Sequence, residues 1–411
     1  MNVIIKMLKK AKHITVDNIR IGKLTAMSLL PYHCKSNRHV SQVLWFGAYG
    51  NTNIGDNLVF FALRKYIPDS VEIRLSCRER VSSFDYGVNT FFLEDRKEWL
   101  HLMKSADLVL LGGGGLFEYY RKATGEGWMF GHLKPLVYAR HYGKKYAIVG
   151  IGCNNMPIRN RILRYIFRRV ANDAAFIITR DQKSKEGFVK NGVGNDNLTF
   201  CFDPVFNYMP VKKCVGRQLT MTVGFLIWPF YMWPHFHSTT DNSVIKSRMS
   251  VDRLKLHERF VVELRKCFEE LQEKNIKCIF PIFHFSDKIL HDEMGIKSEY
   301  PAPLFNDYFS AISKCDIIVT MRYHGQITSL LCGKPIISIL VQEKMEALAE
   351  NLGIKDSLSI DIDNFSASDT IAMIDSVYSD YSNIVKTLSN KVVSMQEFVN
   401  QTYIRIFNKV I

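Results

Sequence analysis

The chain has 411 residues, 47% hydrophobic and 23% charged. That is ordinary globular composition, and the length favours two domains of roughly 150–200 residues each over a single core. The formal net charge of +14 calls for anionic partners. No aromatic-interleaved basic stripe and no nucleic-acid module is present, so nucleic acid gives way to anionic small molecules, acidic glycans or anionic lipid head groups.

Residues 1–40 lack clear periodicity and read as a basic extension containing Lys6, Lys9, Lys10 and Lys12. A second basic cluster follows at Arg159, Arg161, Arg164, Arg168 and Arg169. Each cluster is either a solvated helix face or a contact for an anionic membrane surface. No apolar run approaches the ~20 residues that cross hydrocarbon, and the N-terminus lacks the pattern of a secretory signal. A cytoplasmic location is expected, with peripheral contact at the inner face of the membrane as an extension of it. The nine cysteines form no Cys-x-x-Cys pair, which favours buried reduced thiols over disulfides or zinc.

From Val43 onward, short apolar runs alternate with amphipathic stretches. Val43–Gly47 reads as a strand entering a Gly/Asn-rich turn, followed by a helix from about Asn57 to Tyr66. Leu108–Leu111 runs into four glycines, Gly112–Gly115, and Tyr146–Gly152 is a second buried strand ending in glycine. Phe176–Arg180, a helix to about Asn191, and Leu198–Asp203 complete this half. After a basic link near Lys212–Arg217 the scheme restarts, with strands at Leu219–Trp228, Cys278–Phe285, Asp316–Thr320, Pro335–Leu340 and Ser357–Ile362. Arg253–Glu273 is a helix whose Phe260, Val261, Leu264, Cys267, Phe268 and Leu271 share one face. A last helix covers about Ser382–Gln401.

Continuous apolar strands alternating with helices predict parallel sheets covered on both faces. The fold class is therefore α/β, with two doubly wound lobes facing a cleft and ligands at the carboxyl ends of the strands. The expected boundaries are an extension over 1–40, lobes over 41–213 and 214–375, and a helical segment over 376–411. The segment Trp228–His237 interrupts this pattern with aromatics, two prolines and two histidines. It serves either to stack on sugar rings or to pack hydrophobically. His235 and His237 have no third ligand nearby in sequence, so no metal is expected.

Four turns rich in glycine or asparagine follow strands: Gly47–Asp56, Gly112–Gly115, Gly150–Asn155 and Arg322–Gly325. Glycine there lets backbone amides approach a ligand, and a following helix N-terminus favours anions. None matches a Walker or dinucleotide fingerprint, which argues against nucleotide hydrolases and nicotinamide enzymes. The last turn is the most informative. A buried strand delivers Arg322 and His324 to its carboxyl end, where a helix over Gln326–Cys332 points its N-terminus. A fixed cation, a titratable imidazole and a helix dipole then converge on one small anion.

Several motifs together resemble the polysaccharide pyruvyl transferase family over about residues 43–355. They are Gly-x-x-Gly-Asn-x-x-x-Gly-Asp ending at Asp56, Leu-Gly-Gly-Gly-Gly at 111–115, and Thr-Arg-Asp-x-x-Ser at 179–184. Asp203-Pro204, Met-Arg-Tyr-His-Gly at 321–325, Gly333-Lys-Pro335 and Lys344 follow in order. The resemblance implies a GT-B-like pair of Rossmann-like lobes, acceptor side first and donor side second. It also implies transfer of the enolpyruvyl carbons of phosphoenolpyruvate to a glycan acceptor, free or lipid-linked, as a surface or capsular polysaccharide is built. Phosphoenolpyruvate is then a donor substrate, and no cofactor is expected.

By that resemblance Arg180, Arg322 and His324 form the donor site, with His324 as general acid or phosphate ligand. Asp56 is the leading base, or else a cap for the helix behind it; Arg180 is either a donor ligand or salt-bridged to Asp181. Asn51, Gly55, Gly113, Gly114, Tyr323 and Gly325 are assigned to substrate binding from the turns. Glu118, His284 and Asp287 are candidates for acceptor hydroxyls, and Lys344 reaches a phosphate or sits solvated. Two other functions fit the same sequence: a GT-B-like glycosyltransferase using a nucleotide sugar, and a non-catalytic glycan-binding protein.

Overall fold

A computed structural model describes residues 22–34, 39–80, 84–118, 127–194, 196–212, 220–237 and 239–411. The basic N-terminal lysines, most of the 212–217 link and Cys214 lie outside the described residues. The chain divides into two compact units. The first comprises 1–49, 67–201 and 406–411; the second comprises 50–66 and 202–405. Residues 50–66, which sequence order places in the N-terminal lobe, thus belong to the second unit, and the last helix is not a separate segment.

In the first unit seven parallel strands run in the order β3-β2-β1-β4-β5-β6-β7. They are β1 (Gln42–Phe46), β2 (Glu72–Cys77), β3 (Asn89–Phe92), β4 (Leu108–Phe117), β5 (Lys145–Cys153), β6 (Ile177–Thr179) and β7 (Leu198–Phe200). Helices α1 (22–29), α3 (Arg96–Ser105), α4 (Gly127–His141), α5 (Arg161–Asn172) and α6 (Gln182–Lys190) belong to this unit, in a chain order that leaves α2 to the other. Their apolar faces, including Trp99, Leu133, Leu136, Ile166, Phe167 and Phe188, pack with the sheet in one core.

The second unit has five parallel strands in the order β12-β11-β10-β8-β9. They are β8 (Thr222–Leu226), β9 (Lys277–Ile279), β10 (Ile317–Thr320), β11 (Ile336–Leu340) and β12 (Ser359–Asp361). Its helices are α2 (Ile54–Arg64), α7 (Asn242–Ser247), α8 (Val251–Glu273), α9 (Asp287–Met294), α10 (Phe305–Ser313), α11 (Tyr323–Leu331), α12 (Glu343–Leu352), α13 (Ala367–Ser379) and α14 (Tyr381–Phe407), the last ending in the first unit. The alternating pattern predicted from sequence is therefore present in both units, each a parallel sheet with crossover helices. The helix expected at 253–273 buries Phe260, Val261, Leu264, Cys267 and Leu271 as predicted.

Two expectations need correction. The glycines at 112–115 do not form a turn; they are the middle of β4, paired to β5 through Gly112↔Val149 and Gly114↔Ile151. A Cβ on Gly112 would overlap the Val149 carbonyl oxygen, so glycine here admits close backbone approach inside the sheet. Gly150 and Gly152 likewise lie inside β5. The second correction concerns the helix after β1. It starts at Ile54 rather than near Asn57, and Asn53 caps it by accepting from the Gly55 N–H. Asp56 sits in the first turn and is not the cap.

None of the eight described cysteines is in a disulfide, and six of them are buried. Among the described residues no helix is long and apolar enough to cross a membrane. The core reading of α8 carries a quantitative expectation. Leu264 is fully buried, so Leu264→Ala should cost about 2–5 kcal/mol, seen as a thermal midpoint lowered by several degrees in calorimetry.

Candidate active site

The order of the second sheet reverses between β8 and β10, a topological switch point where parallel α/β sheets bind ligands. Three segments that leave the carboxyl ends of β8, β9 and β10 carry Trp228, His284–Asp287 and Arg322–Gly325. Arg322 is the N-cap residue of α11, so His324 and Gly325 lie within its first turn. Thr320 fixes the corner: its Oγ1 accepts from the Arg322 N–H at 3.0 Å and donates to the Arg322 carbonyl at 3.2 Å.

The Arg322 guanidinium is sandwiched and paired. It lies 4.7 Å from the Trp228 ring centroid and 5.8 Å from that of Phe283. Its Nη2 donates to Asp287 Oδ1, and the other Asp287 oxygen accepts from the N–H groups of Phe283 (2.9 Å) and His284 (3.0 Å). Asp287 is fully buried; burial pushes its carboxyl upward while Arg322 pulls it back. Both its oxygens are thus engaged, and it anchors Arg322. The Arg322 Nε–H has no hydrogen-bond partner among the described residues. His284 Nδ1 accepts from the Ser286 N–H at 3.1 Å and lies 2.7 Å from its hydroxyl, so this imidazole shapes the loop.

His324 is buried, with Nε2 3.3 Å from Asp203 Oδ2. Asp203 is itself completely buried, and its Oδ1 accepts from the Val205 N–H at 3.0 Å. The opposite side of the imidazole meets the first turn of α2. A Cβ on Gly55 would overlap the ring at Nδ1 and lie 2.6 Å from Cγ. The α2 turn is tied to the same region because the Ile54 N–H donates to the Phe283 carbonyl at 3.2 Å. Two helix N-termini, α2 and α11, therefore meet at His324, an arrangement that favours anions.

The remaining predicted residues distribute between the units. Asn51, Gly55 and Asp56 lie in the second unit with His324, and Asn51 Nδ2 is 3.5 Å from Asp56 Oδ2. Lys344, near the start of α12, lies 5.7 Å from the Tyr323 ring centroid. Gly325 packs closely, since a Cβ would come within 2.8 Å of Leu226 and Thr320 side-chain atoms, which would have to shift. Arg180, Glu118, Gly113 and Gly114 lie in the first unit. Arg180 is buried and paired chiefly to Glu118, with Asp181 3.7 Å away. Asp181 mainly caps α6 through the Ser184 N–H. Gly115 and Gly152 give this pair its room, because a Cβ on either would strike the Glu118 carboxylate. The aromatic segment after β8 is largely a packing loop, with Trp228, Tyr231, Met232 and Phe236 buried.

Sequence reasoning missed Asp203 as the partner of His324. The only signal was Asp-Pro behind β7, and 121 residues separate the two side chains. It also passed over His291, four residues after Asp287 on α9. His291 is 2% exposed, and neither ring nitrogen has a hydrogen-bond partner among the described residues.

With this geometry in place, the family model of polysaccharide pyruvyl transferases matches residues 53–343, well over half of the chain. The chain belongs to that family. Its members are transferases, and the matched span runs from the α2 cap to the start of α12. No curated protein matches the chain at significance. Among solved structures, Anabaena HepE in complex with UDP and glucose is similar at a TM-score of 0.54 and 12% identity, covering 90% of this chain and 98% of that one. A glycosyltransferase from Rickettsia africae has a TM-score of 0.55 at 9% identity, covering 91% and 99%. The UDP-GlcNAc 2-epimerase of Neisseria meningitidis, bound to UDP-GlcNAc, has a TM-score of 0.52 at 11% identity, covering 90% and 99%. At these identities the likeness is one of fold, and it makes the chain GT-B-like.

Two outcomes follow from the site. Gly55→Ala places a methyl group where the imidazole lies, while alanine itself favours a helix. Displacing the buried imidazole should lower the thermal midpoint by a few degrees, since overpacking costs about 1–3 kcal/mol, and transferase activity should fall about 100-fold, as for small misplacements within a site. The second concerns pH. Burial, and secondarily Arg322, lowers His291 from the ordinary 6.5 to about 4. The folded state therefore holds neutral His291, and its contribution is complete above about pH 6.5 and lost as pH falls toward 4. The thermal midpoint of the native protein should drop more steeply between those values than that of His291→Phe; parallel curves would refute this assignment.

Proposed function

We propose that the chain moves the pyruvyl group of phosphoenolpyruvate onto a glycan, forming a cyclic ketal and releasing inorganic phosphate. The observation that carries this reading is the meeting of α2 and α11 N-termini at His324, beside an Arg322 whose Nε–H has no hydrogen-bond partner among the described residues. Phosphoenolpyruvate presents a carboxylate and a phosphate on one small frame, which suits a guanidinium and convergent backbone amides. His324 passes a proton to the donor's methylene carbon. A glycan hydroxyl bonds to C2 and gives its proton to a carboxylate, for which Asp56 is the choice. Phosphate leaves with the C2–O electron pair, and a second hydroxyl attacks C2, closes the ring and gives its proton to the deprotonated His324, while the proton held by Asp56 passes to the departing phosphate or to solvent. One phosphoenolpyruvate and one diol yield one ketal and one phosphate.

Asp203 positions His324 in this scheme, and Asp287 positions Arg322. Arg180 and Glu118 keep their ion pair within the first unit, and the reading asks nothing more of them. The acceptor belongs to a surface or capsular polysaccharide precursor, free or lipid-linked. Contact with an anionic membrane is supported by α5, where Arg161 and its neighbour Ile162 are exposed and Arg168 is exposed further along the helix. A second reading, transfer from a nucleotide sugar, draws on the GT-B-like neighbours that hold UDP or its sugars.

Calorimetry and product analysis separate the two. Arg322→Gln keeps a donor near buried Asp287, which Arg322→Ala would strand at a cost of about 3–5 kcal/mol. The Gln variant should bind phosphoenolpyruvate about tenfold or more weakly, the expected effect of losing a charge-assisted contact. Phosphate release should match pyruvyl gained by the glycan. Equal binding by both proteins, or turnover that requires a nucleotide sugar, would overturn the donor assignment.

A further inference from the structure

The first unit contains a cavity of about 800 Å³ that two of the motifs only border, through Gly47 and Leu111, and that holds none of the residues assigned to the donor site. It opens at the carboxyl ends of β1 to β4, where the seven-stranded order reverses between β1 and β4. This is the switch-point position at which open parallel sheets bind ligands, and the volume is that of a small-molecule site. Phe46, Leu111 and Trp99 supply an apolar floor. Four cations, Lys23, Arg78, Arg96 and Lys134, line the same space against one carboxylate, Glu94.

From this lining we infer a second ligand site, for a sugar phosphate. The excess of cations selects an anion, and two of them are guanidiniums, whose planar forks match phosphoryl oxygens. Arg96 is already oriented: its Nη2 donates to the Tyr138 hydroxyl and its guanidinium carbon lies 5.2 Å from the Tyr138 ring centroid. Inorganic phosphate alone would leave most of the volume empty, so the ligand carries a body. Glu94 accepts hydroxyl protons, and the apolar floor meets ring C–H surfaces. His132 faces the same space as a neutral imidazole, held down to about 3 by burial and then by Arg78. It therefore adds hydrogen-bonding capacity without further charge. The glycosyl phosphate occurs either as a free monoester or within a nucleotide sugar. The site is independent of the phosphoenolpyruvate reading, since every residue in it belongs to the first unit.

Gly131 offers a test that removes no charge. It lines the cavity, and a Cβ there would meet no atom within 4 Å. Gly131→Leu therefore fills the space from α4 while improving helix propensity. Calorimetry on the full chain should show saturable binding of glucose 1-phosphate, lost in Gly131→Leu. In Lys134→Gln it should weaken about tenfold, with thermal midpoints preserved in both variants. A parallel titration with UDP-glucose assigns the source: tighter binding of the monoester means a free sugar phosphate, and tighter UDP-glucose means the nucleotide form. Phosphoenolpyruvate titrations of the same variants should match wild type, so failure of one site is distinguishable from failure of the other. Neither probe binding wild type, equal binding by Gly131→Leu, or inorganic phosphate binding as tightly as glucose 1-phosphate would overturn the inference.

Discussion

The site in the second unit depends on a side chain that is missing. Gly55 lets the first turn of α2 lie against the imidazole of His324 where any Cβ would overlap the ring. That contact puts one helix N-terminus beside another and fixes one side of the imidazole. Asp203 fixes the other side from 3.3 Å. A histidine held between a carboxylate and a backbone turn has little rotational freedom, so its orientation is set before any ligand arrives. The same approach explains why a segment far earlier in the chain belongs with the second sheet: residues 50–66 supply the wall against which His324 packs.

Arginine in this protein is placed by carboxylates drawn from other loops. Arg322 pairs with Asp287, and Arg180 with Glu118, each within its own unit. Leaving either charge buried without its partner would be strongly unfavourable, so the pairs hold the guanidiniums in one geometry. Their acids are satisfied differently. Asp287 also accepts two backbone N–H groups and is fully committed. Glu118 rests against glycines 115 and 152, whose hydrogen side chains give the carboxylate its room. Aromatic stacking adds to the constraint at Arg322, where Trp228 and Phe283 flank the guanidinium. The aromatic segment after β8 thus contributes to the site through Trp228, while most of its other rings pack inward.

Much of this architecture was legible along the chain. Apolar runs separated by amphipathic stretches identified most of the parallel strands, and the helical stripe on α8 matched its buried face. Strands β2 and β3 escaped notice because Glu72–Cys77 carries charged residues among its apolar ones and Asn89–Phe92 is a short edge strand. The glycines of β4 misled in a physical way. Glycine runs suggest turns, but here they admit the Val149 carbonyl against the backbone within the sheet. The start of α2 was misplaced by three residues because Asn53, not Asp56, provides the capping oxygen.

The sequence by itself determined the class of fold, the family and the position of Met-Arg-Tyr-His-Gly at the end of a buried strand. Those features are written locally, in hydrophobic period and in short spacings that one element can satisfy. Only the tertiary structure decided the partners: Asp203 for His324, Asp287 for Arg322, Glu118 for Arg180, and Gly55 as the wall of the imidazole. Pairings across 121, 35 and 62 residues leave no periodic trace. A carboxylate finds its cation through the crossing of loops at strand ends, and that crossing is set by how the sheet orders its strands.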